Sequence, residues 1–249
     1  MSPRTQIEIG SIRNASLDSV PSDLPLDTVH LWQRPLQITG GDLEACHELL
    51  SEEERERAQR YRVERPRSDY ILTRGTLRSL LSRYLQRPAQ EFSFRYTEYG
   101  KPFLIDGSDL QFNVSHSEGI AVMGFVRARE IGVDVERIRK QSDVEQIAER
   151  FFSEYERRSL RKCKGDELHE AFFRCWTRKE AYIKAKGEGL SLPLHQFDVS
   201  IEPEPEQALL TTRPDATEAK RWRVINMPVR SGYAAALAIG EPFEAHKAV

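Results

Sequence analysis

Two carboxylates stand two residues apart in the otherwise apolar run Ile131-Gly132-Val133-Asp134-Val135-Glu136. The alternation predicts a β-strand, in which every second side chain lies on one face, so Asp134 and Glu136 should point the same way. Like charges this close repel unless a cation lies between them, and hard oxygen ligands suit Mg²⁺ or Mn²⁺. By spacing alone, a solvated acidic face is the simpler interpretation. If the pair holds a metal, loss of either carboxylate should weaken metal-dependent turnover, and without metal it should relieve repulsion and raise stability slightly.

A second cluster lies in the run Trp176 to Lys184, which has the composition of a helix. Glu180 and Lys184 are four residues apart and share one helix face. By spacing alone they predict a surface ion pair, which contributes little to stability. Apolar residues flank this face and indicate that the pair borders a core, where charges need partners; they are Phe172, Phe173, Trp176 and Ile183.

The third cluster is Phe112-Asn113-Val114-Ser115-His116-Ser117, an apolar strand that runs into a polar turn. Adjacent strand residues face opposite sides, so Ser115 and His116 cannot form a nucleophile and base pair. The chain also has no GxSxG nucleophile elbow. The two side chains fit better as donors to a ligand phosphate, or as a turn that satisfies its own backbone.

Several common motifs fail on inspection. His47-Glu48 and His169-Glu170 each begin like the zinc motif HExxH, but Ser51 and Phe173 occupy the place of the second histidine. The glycine-rich loops GxxxxGKS/T and GxGxxG are absent. Any phosphate should therefore be bound by side chains and metal.

The composition is that of a folded globular protein: 249 residues, 31% charged and 39% hydrophobic. A formal charge of -2 provides no field for a polyanion, so nucleic acid is not a predicted partner. No apolar run approaches the ~20 residues of a membrane span, which argues against a membrane partner. Three scattered cysteines suit reduced thiols and predict a cytoplasmic protein; they are Cys46, Cys163 and Cys175.

The elements that must position these residues are visible in the residue pattern. Residues 1–27 are polar and predicted to be loosely ordered up to the strand-like run Thr28 to Trp32. Ser51 and Glu54 have capping-box spacing and predict a helix to Tyr61. A second helix is predicted from Ser68 to Leu85, and strands follow at Phe92–Tyr96, Pro102–Ile105, Phe112–Ser115 and Ile120–Val126.

The same order of elements then recurs. The run beginning at Ser153 echoes the run beginning at Ser51, and Thr177-Arg178 echoes Thr73-Arg74. The spacing from the serine to the threonine is 22 residues in the first case and 24 in the second. We therefore predict two related α/β halves, 28–126 and 127–249, with the candidate metal site in the second. A cleft between two halves is a favoured place for a ligand.

Taken in order, FNVSHS, GVDVE, FF and WTRKEAYIKAKGEGLSLP closely resemble the Sfp-type 4'-phosphopantetheinyl transferases. The run Tyr99-Gly100-Lys101-Pro102 looks like that family's YGKP element, and the resemblance extends from about Val29 onward. It implies an α+β fold of two similar subdomains in a pseudo-twofold arrangement, each a small sheet packed with helices. It also implies a pseudo-dimeric monomer.

The resemblance implies a reaction as well. The phosphopantetheine arm of coenzyme A would move to a serine of an apo acyl or peptidyl carrier protein, leaving adenosine 3',5'-bisphosphate. Residues matching Asp134, Glu136 and Glu180 would hold Mg²⁺, with Mn²⁺ as the other candidate, together with the pyrophosphate of coenzyme A. Glu180 would act as the base, directly or through a metal-bound water, and Lys184 would stabilise the departing α-phosphate.

Further coenzyme A contacts follow from the same resemblance. Ser115 and His116 would bind the 3'-phosphate, and Lys101 and Pro102 would border the adenine. The first half offers additional candidate cations for the phosphate, Arg57 and Arg74.

Two other functions remain open on the residues alone. A metal-dependent nuclease, or another phosphotransferase, also uses carboxylates with a nearby lysine. A helical spacing of Glu180 and Lys184 and a balanced charge argue against the nuclease. The other possibility is a module that binds carrier proteins without catalysis, but all the polar residues that catalysis needs are present.

Overall fold

The computed structural model describes residues 5–12, 20–105, 108–140 and 143–243. Its helices are α1 (Asp42–Glu48), α2 (Glu52–Gln59), α3 (Glu64–Leu85), α4 (Val144–Phe151), α5 (Glu154–Leu160) and α6 (Asp166–Lys186). Its strands are β1 (Gln6–Ser11), β2 (Thr28–Pro35), β3 (Phe94–Tyr96), β4 (Pro102–Leu104), β5 (Leu110–Ser117), β6 (Ile120–Arg127), β7 (Arg129–Arg137), β8 (Phe197–Val199), β9 (Leu209–Thr212), β10 (Trp222–Asn226) and β11 (Tyr233–Pro242).

The first sheet has the order β1-β2-β6-β5. β2 and β5 both pair antiparallel with β6, and β5 turns into β6 at Gly119, where φ is 92° and a side chain would be strained. β1 pairs in parallel with β2. The expectation of loose order over residues 1–27 is thus not met at Gln6–Ser11; residues 1–4 and 13–19 of that segment lie outside the described residues.

The second sheet repeats this topology. Its order is β10-β11-β7, with both pairs antiparallel. In each half the first long strand pairs with the last, which pairs in turn with the strand before it. The fold is therefore α+β, built from two similar subdomains as the resemblance implied. The boundary at residue 126 stays a prediction.

The repeat extends to buried polar groups. Capping boxes begin α2 at Ser51 and α5 at Ser153, and each is completed by a buried glutamate, Glu54 or Glu156. A cation from the long helix of the same half then pairs with that glutamate. Arg78 pairs with Glu54 at 2.5 Å, and Lys179 pairs with Glu156 at 2.7 Å.

These cations also have matching second partners. Arg78 donates to the carbonyls of Ala89 and Phe92, and Lys179 donates to those of Leu194 and Phe197. The equivalent residues are therefore Arg78 and Lys179. The sequence pattern had matched Arg74 with Arg178 instead, but Arg178 binds loop carbonyls and Asn226.

Three apolar clusters hold the layers together. One packs α1 and α3 on the first sheet, and another packs α4, α5 and α6 on the second. The third lies between the two sheets and takes residues from β2 and β6 on one side and from β7 and β11 on the other. In the described part of the chain, no helix has the length and apolar character needed to cross a membrane.

Candidate active site

The two sheets meet where β5 lies beside β7. No backbone ladder joins these strands, and side chains of β5 replace it by accepting hydrogen bonds from the amides of β7. We call the three accepting residues, Asn113, Ser115 and Ser117, the seam. Asn113 accepts a hydrogen bond from Val133 N at 2.9 Å, Ser115 from Val135 N at 3.4 Å, and Ser117 from Arg137 N at 3.1 Å.

The two strand carboxylates lie along this seam. Ser115 Oγ donates to Asp134 Oδ1 at 2.8 Å, and Ser117 Oγ donates to Glu136 Oε2 at 2.9 Å. Both carboxylates therefore point toward β5, as their period of two predicted. Asp134 is buried, whereas Glu136 is half-buried.

Helix α6 lies directly against β7 and brings the second cluster to the first. Gly132 permits this approach, because a Cβ there would collide with the backbone of α6 at Ala181 and Ala185. Lys184 consequently reaches Asp134, with 2.6 Å between Nζ and Oδ1, and donates to Ser115 Oγ at 3.1 Å.

The electrostatics of the site follow from burial and from neighbouring charges. Burial, and after it the charges of Asp134 and Glu136, raise the pKa of Glu180 to about 7 against the opposing effect of Lys184. Burial and then Asp134 raise the pKa of Glu136. Burial lowers the pKa of Lys184, but the ion pair with Asp134 outweighs burial, and the net shift is upward.

A divalent cation has suitable ligands here. Asp134 Oδ2 is buried and has no hydrogen-bond partner in the described structure. The donor set of Asp134, Glu136 and Glu180 consists of carboxylate oxygens, the type that Mg²⁺ and Mn²⁺ prefer. Within the described ranges, however, no three His, Cys, Asp or Glu side chains are grouped as a formed metal site.

Ser115 and His116 point in different directions. Ser115 is buried in the seam and already donates to Asp134, so it lies with the carboxylates. His116 is exposed at the end of β5. Partial burial of its ring lowers its pKa, which Asp69 opposes and Lys184 reinforces. The two adjacent residues therefore do not present one joint donor pair.

Lys101 lies at the junction of the two subdomains. It projects from the β3–β4 hairpin and donates to the carbonyls of Ile131 at 3.1 Å and Ala185 at 2.9 Å. Burial lowers its pKa, and Glu130 opposes that shift. Lys101 and Pro102 also line a cavity of about 230 Å³ that extends to Gly187 after α6.

The two first-half arginines differ from each other. Arg57 is exposed, and its guanidinium lies 5.4 Å from the centre of the Tyr70 ring. Arg74 is buried and already paired, with 3.0 Å between Nε and Glu54 Oε1 and a hydrogen bond to Tyr96 Oη at 2.7 Å. Within the described residues, neither arginine forms an ion pair or hydrogen bond with Asp134, Glu136 or Glu180.

Sequence reasoning missed several residues that shape the site. The period of two in Asn113, Ser115 and Ser117 was visible, but nothing in the pattern indicated that a second sheet lies beside them. Arg65 of α3 and Arg230 of the β10–β11 loop flank the turn at Gly119, close to His116 in the chain. These two cations come from opposite subdomains, which sequence spacing cannot relate.

Comparison with known families matches both halves separately. The family described as the 4'-phosphopantetheinyl transferase superfamily matches residues 130–238. The family described as 4'-phosphopantetheinyl transferase, N-terminal, matches residues 37–125.

Individual relatives agree with these matches. The chain is 36% identical over 224 residues to the 4'-phosphopantetheinyl transferase HetI of Nostoc sp., covering 88% of this chain and 91% of HetI. It is 36% identical over 153 residues to Sfp of Bacillus subtilis, covering 61% of this chain and 67% of Sfp. A crystal structure of Thermotoga maritima holo-[acyl-carrier-protein] synthase is 24% identical with a TM-score of 0.36, covering 45% of this chain and 63% of that one.

Proposed function

The chain belongs to the 4'-phosphopantetheinyl transferase family, and from that membership we propose that it modifies apo acyl or peptidyl carrier proteins. It transfers the phosphopantetheine arm of coenzyme A to a serine hydroxyl and releases adenosine 3',5'-bisphosphate. The observation that carries the proposal is the convergence of β7 and α6, where Asp134 and Lys184 are in contact. The matches favour this reaction over the nuclease and over a binding module without catalysis.

The transfer needs three things from the protein. The serine oxygen forms a bond to the β-phosphorus while the bond from that phosphorus to the α-phosphate oxygen breaks. The hydroxyl proton must leave, and charge that develops on the departing phosphate must be stabilised. The reacting groups must also be held in line.

We assign the proton to Glu180. Without a cation its pKa is about 7, close to neutral pH, where a general base works best when its pKa matches the operating pH. A bound cation would lower that pKa and keep the carboxylate ionised. Glu180 lies on one helix face with Lys184. Glu180 therefore accepts the hydroxyl proton of the carrier serine.

We assign the leaving phosphate to Lys184. The ion pair with Asp134 keeps its ammonium charged, and its side chain is 30% exposed, so it is accessible to a ligand. A fixed cation at this point stabilises the α-phosphate as it departs.

We also assign a divalent cation, Mg²⁺ or Mn²⁺, to Asp134, Glu136 and Glu180. Such an ion supplies positive charge that neutralises a pyrophosphate. The buried, unpartnered Oδ2 of Asp134 supports this assignment. So do the raised pKa values of Glu136 and Glu180, which burial causes first and the neighbouring carboxylates increase, because a cation would favour the ionised form of these acids.

For coenzyme A we propose His116 as a contact of the 3'-phosphate, because it is exposed at the end of β5 and lies close enough to Lys184 for that charge to affect its pKa. Lys101 and Pro102 border the adenine through the cavity that they line. Ser115 and Arg74 stay predictions as phosphate ligands, and both have protein partners already. Of the two candidate arginines, Arg57 is the exposed one, and we keep it as a proposed contact of the 3'-phosphate.

We further propose that one chain is sufficient for activity, since residues from both subdomains meet at the seam. We also propose that the two subdomains divide at residue 126 and that the protein is cytoplasmic. The cysteines support the location, because in the structure none forms a disulfide; they are Cys46, Cys163 and Cys175.

The test is incubation with coenzyme A, Mg²⁺ and a panel of apo carrier proteins from fatty-acid, polyketide and peptide-forming systems. Intact mass should show addition of one phosphopantetheine group, and adenosine 3',5'-bisphosphate should appear in equal amount. Omission of Mg²⁺ with added EDTA is the control for the metal. Failure of a folded sample across the whole panel, or cleavage of DNA or RNA instead, contradicts the proposal.

A further inference from the structure

The seam serines make two kinds of hydrogen bond at once. Ser117 Oγ accepts from Arg137 N at 3.1 Å and donates to Glu136 Oε2 at 2.9 Å. Ser115, two residues earlier in β5, repeats the arrangement: its Oγ accepts from Val135 N and donates to Asp134 Oδ1. In each case one hydroxyl connects a carboxylate to the backbone amide of the residue that follows it.

Asn113 provides the contrast within the same seam. Its Oδ1 accepts from Val133 N at 2.9 Å, but the described contacts include no carboxylate for it. The seam therefore needs side-chain acceptors at all three positions to join the sheets, and it has hydroxyls at the two positions beside a carboxylate. A hydroxyl can donate its hydrogen while it accepts a bond, which suits both tasks.

The effect of such a bond is greatest for glutamate. A glutamate side chain has more rotatable bonds than an aspartate, so it loses more conformational freedom when it binds a cation. Ser117 is buried and holds one carboxylate oxygen of Glu136 in place before any ligand binds. Groups that orient ligands in this way change metal affinity roughly 10- to 100-fold when they are removed.

We propose that Ser117 is a positioning residue that orients Glu136 for the cation, and that Ser115 does the same for Asp134. The first subdomain thereby orients the carboxylates that the second subdomain carries. This inference rests on the proposed function, since it requires these carboxylates to hold a cation.

The experiment compares Ser117→Ala with Asn113→Ala as its matched control. Each variant removes one acceptor from an amide of β7, but only Ser117→Ala also removes a bond to a carboxylate. Free Mn²⁺ is measured by electron paramagnetic resonance with saturating coenzyme A and no carrier protein. Ser117→Ala should weaken Mn²⁺ binding about 10-fold or more, whereas Asn113→Ala should change it less than about 2-fold.

Two further variants separate positioning from a general structural effect. Ser117→Thr keeps the hydroxyl and should retain Mn²⁺ affinity. In a Glu136→Ala background, Ser117→Ala should have no additional effect, because the carboxylate that it orients is gone. If Ser117→Ala fails to fold, Ser117→Cys fills the space with a weak donor and is measured in its place, with the same expectation.

Three results would overturn the inference. Equal weakening by Ser117→Ala and Asn113→Ala means that the seam acts through the fold. Unchanged affinity in Ser117→Ala means that Glu136 needs no orientation. A wild-type protein that transfers phosphopantetheine but binds no Mn²⁺ removes the cation from these carboxylates and leaves the transferase function intact. Absence of transfer with the whole carrier panel contradicts the proposed function itself.

Discussion

Lys184 Nζ lies 2.6 Å from Asp134 Oδ1, and this ion pair joins helix α6 to strand β7. The Asp134 side chain is only 4% exposed, so its charge depends on this partner and on Ser115. Sequence spacing had paired Asp134 with Glu136 as two repelling charges and Lys184 with Glu180 as a surface pair. The contact across elements changes what each substitution should do.

The first prediction concerns Asp134→Ala. The expectation that its loss relieves repulsion does not hold, because Lys184 then loses its partner. We expect Asp134→Ala to lower the free energy of unfolding by about 1–3 kcal/mol. Glu136→Ala should change it little, because the surroundings of the Glu136 carboxyl already raise its pKa and so disfavour its charge. Urea unfolding at pH 7.5 with EDTA measures both. Equal or greater stability of Asp134→Ala contradicts the prediction.

The second prediction assigns function to Lys184 by comparison with Lys186 on the same helix. Lys186 pairs with Glu188 and Glu218, away from the carboxylates of β7. Lys184→Ala should reduce the single-turnover rate at saturating coenzyme A and Mg²⁺ by at least ~10-fold, because it removes one charge-assisted hydrogen bond to the departing phosphate. Lys186→Ala should leave it within about 2-fold. Similar rates for the two variants would show that Lys184 has no catalytic role.

The third prediction is a pH dependence of stability from Glu180. Its pKa in the folded protein, about 7, lies above the ordinary value of 4.5, so the folded state binds this proton more tightly than the unfolded state. The stability that the proton contributes is present below pH 4.5 and is lost as pH rises to about 7. The glutamine in Glu180→Gln cannot ionise. At pH 8 without metal, the free energy of unfolding of this variant should therefore exceed that of the wild type, by ~3 kcal/mol at most.

The same variant tests catalysis. Glu180→Gln keeps the size of the side chain but removes its basicity, so single-turnover transfer should fall at least ~10²-fold. Melting temperatures at pH 5 and pH 8, recorded beside the rates, separate the two effects. A variant that transfers at the wild-type rate, or that gains nothing in stability at pH 8, shows that the environment of Glu180 is not the one described.

Local sequence signals were sufficient for much of the fold. The capping box at Ser51 predicted the start of α2, and the apolar period predicted α3, which begins four residues before the expected Ser68. Pro66 is compatible with that earlier start, because backbone amides in the first turn have no partner within the helix. Strand β1 was missed because its residues, Gln6–Ser11, are mostly polar or exposed and pair with β2 only in the folded chain.

The site was less accessible to sequence reasoning. That Asp134 and Glu136 share a direction follows from strand geometry alone. That Lys184 reaches Asp134 depends on the close approach of α6 to β7, which Gly132 permits. That Arg74 is paired with Glu54 depends on how α2 packs on α3. Contacts between elements distant in the chain are set by tertiary packing, so residue types and spacing did not reveal them.

The fourth prediction concerns His116 and the 3'-phosphate. Loss of one charge-assisted hydrogen bond is worth roughly 1.5–3 kcal/mol, so His116→Ala should reduce the preference for coenzyme A over dephospho-coenzyme A by at least ~10-fold in kcat/KM. Glu118→Ala, an exposed residue of the same turn, should leave the preference unchanged. The pKa of His116 is lowered from its ordinary 6.5, so the ring gains charge only as pH falls below 6.5, and the wild-type preference should grow from pH 6.5 to pH 5.5. Equal loss for both ligands argues that His116 supports the turn.

The last prediction uses the internal repeat as its own control. Glu156 and Lys179 are fully buried, and burial raises the pKa of Glu156 against the opposing effect of Lys179. Lys179→Met leaves the Glu156 carboxylate without its cation and should lower the free energy of unfolding by about 3–5 kcal/mol. Arg78→Met removes the equivalent cation and two equivalent carbonyl contacts, but Glu54 keeps Arg74 at 3.0 Å. It should therefore cost clearly less than Lys179→Met in urea unfolding at pH 7. An equal or larger loss in Arg78→Met would show that the two buried glutamates are not compensated as the contacts indicate.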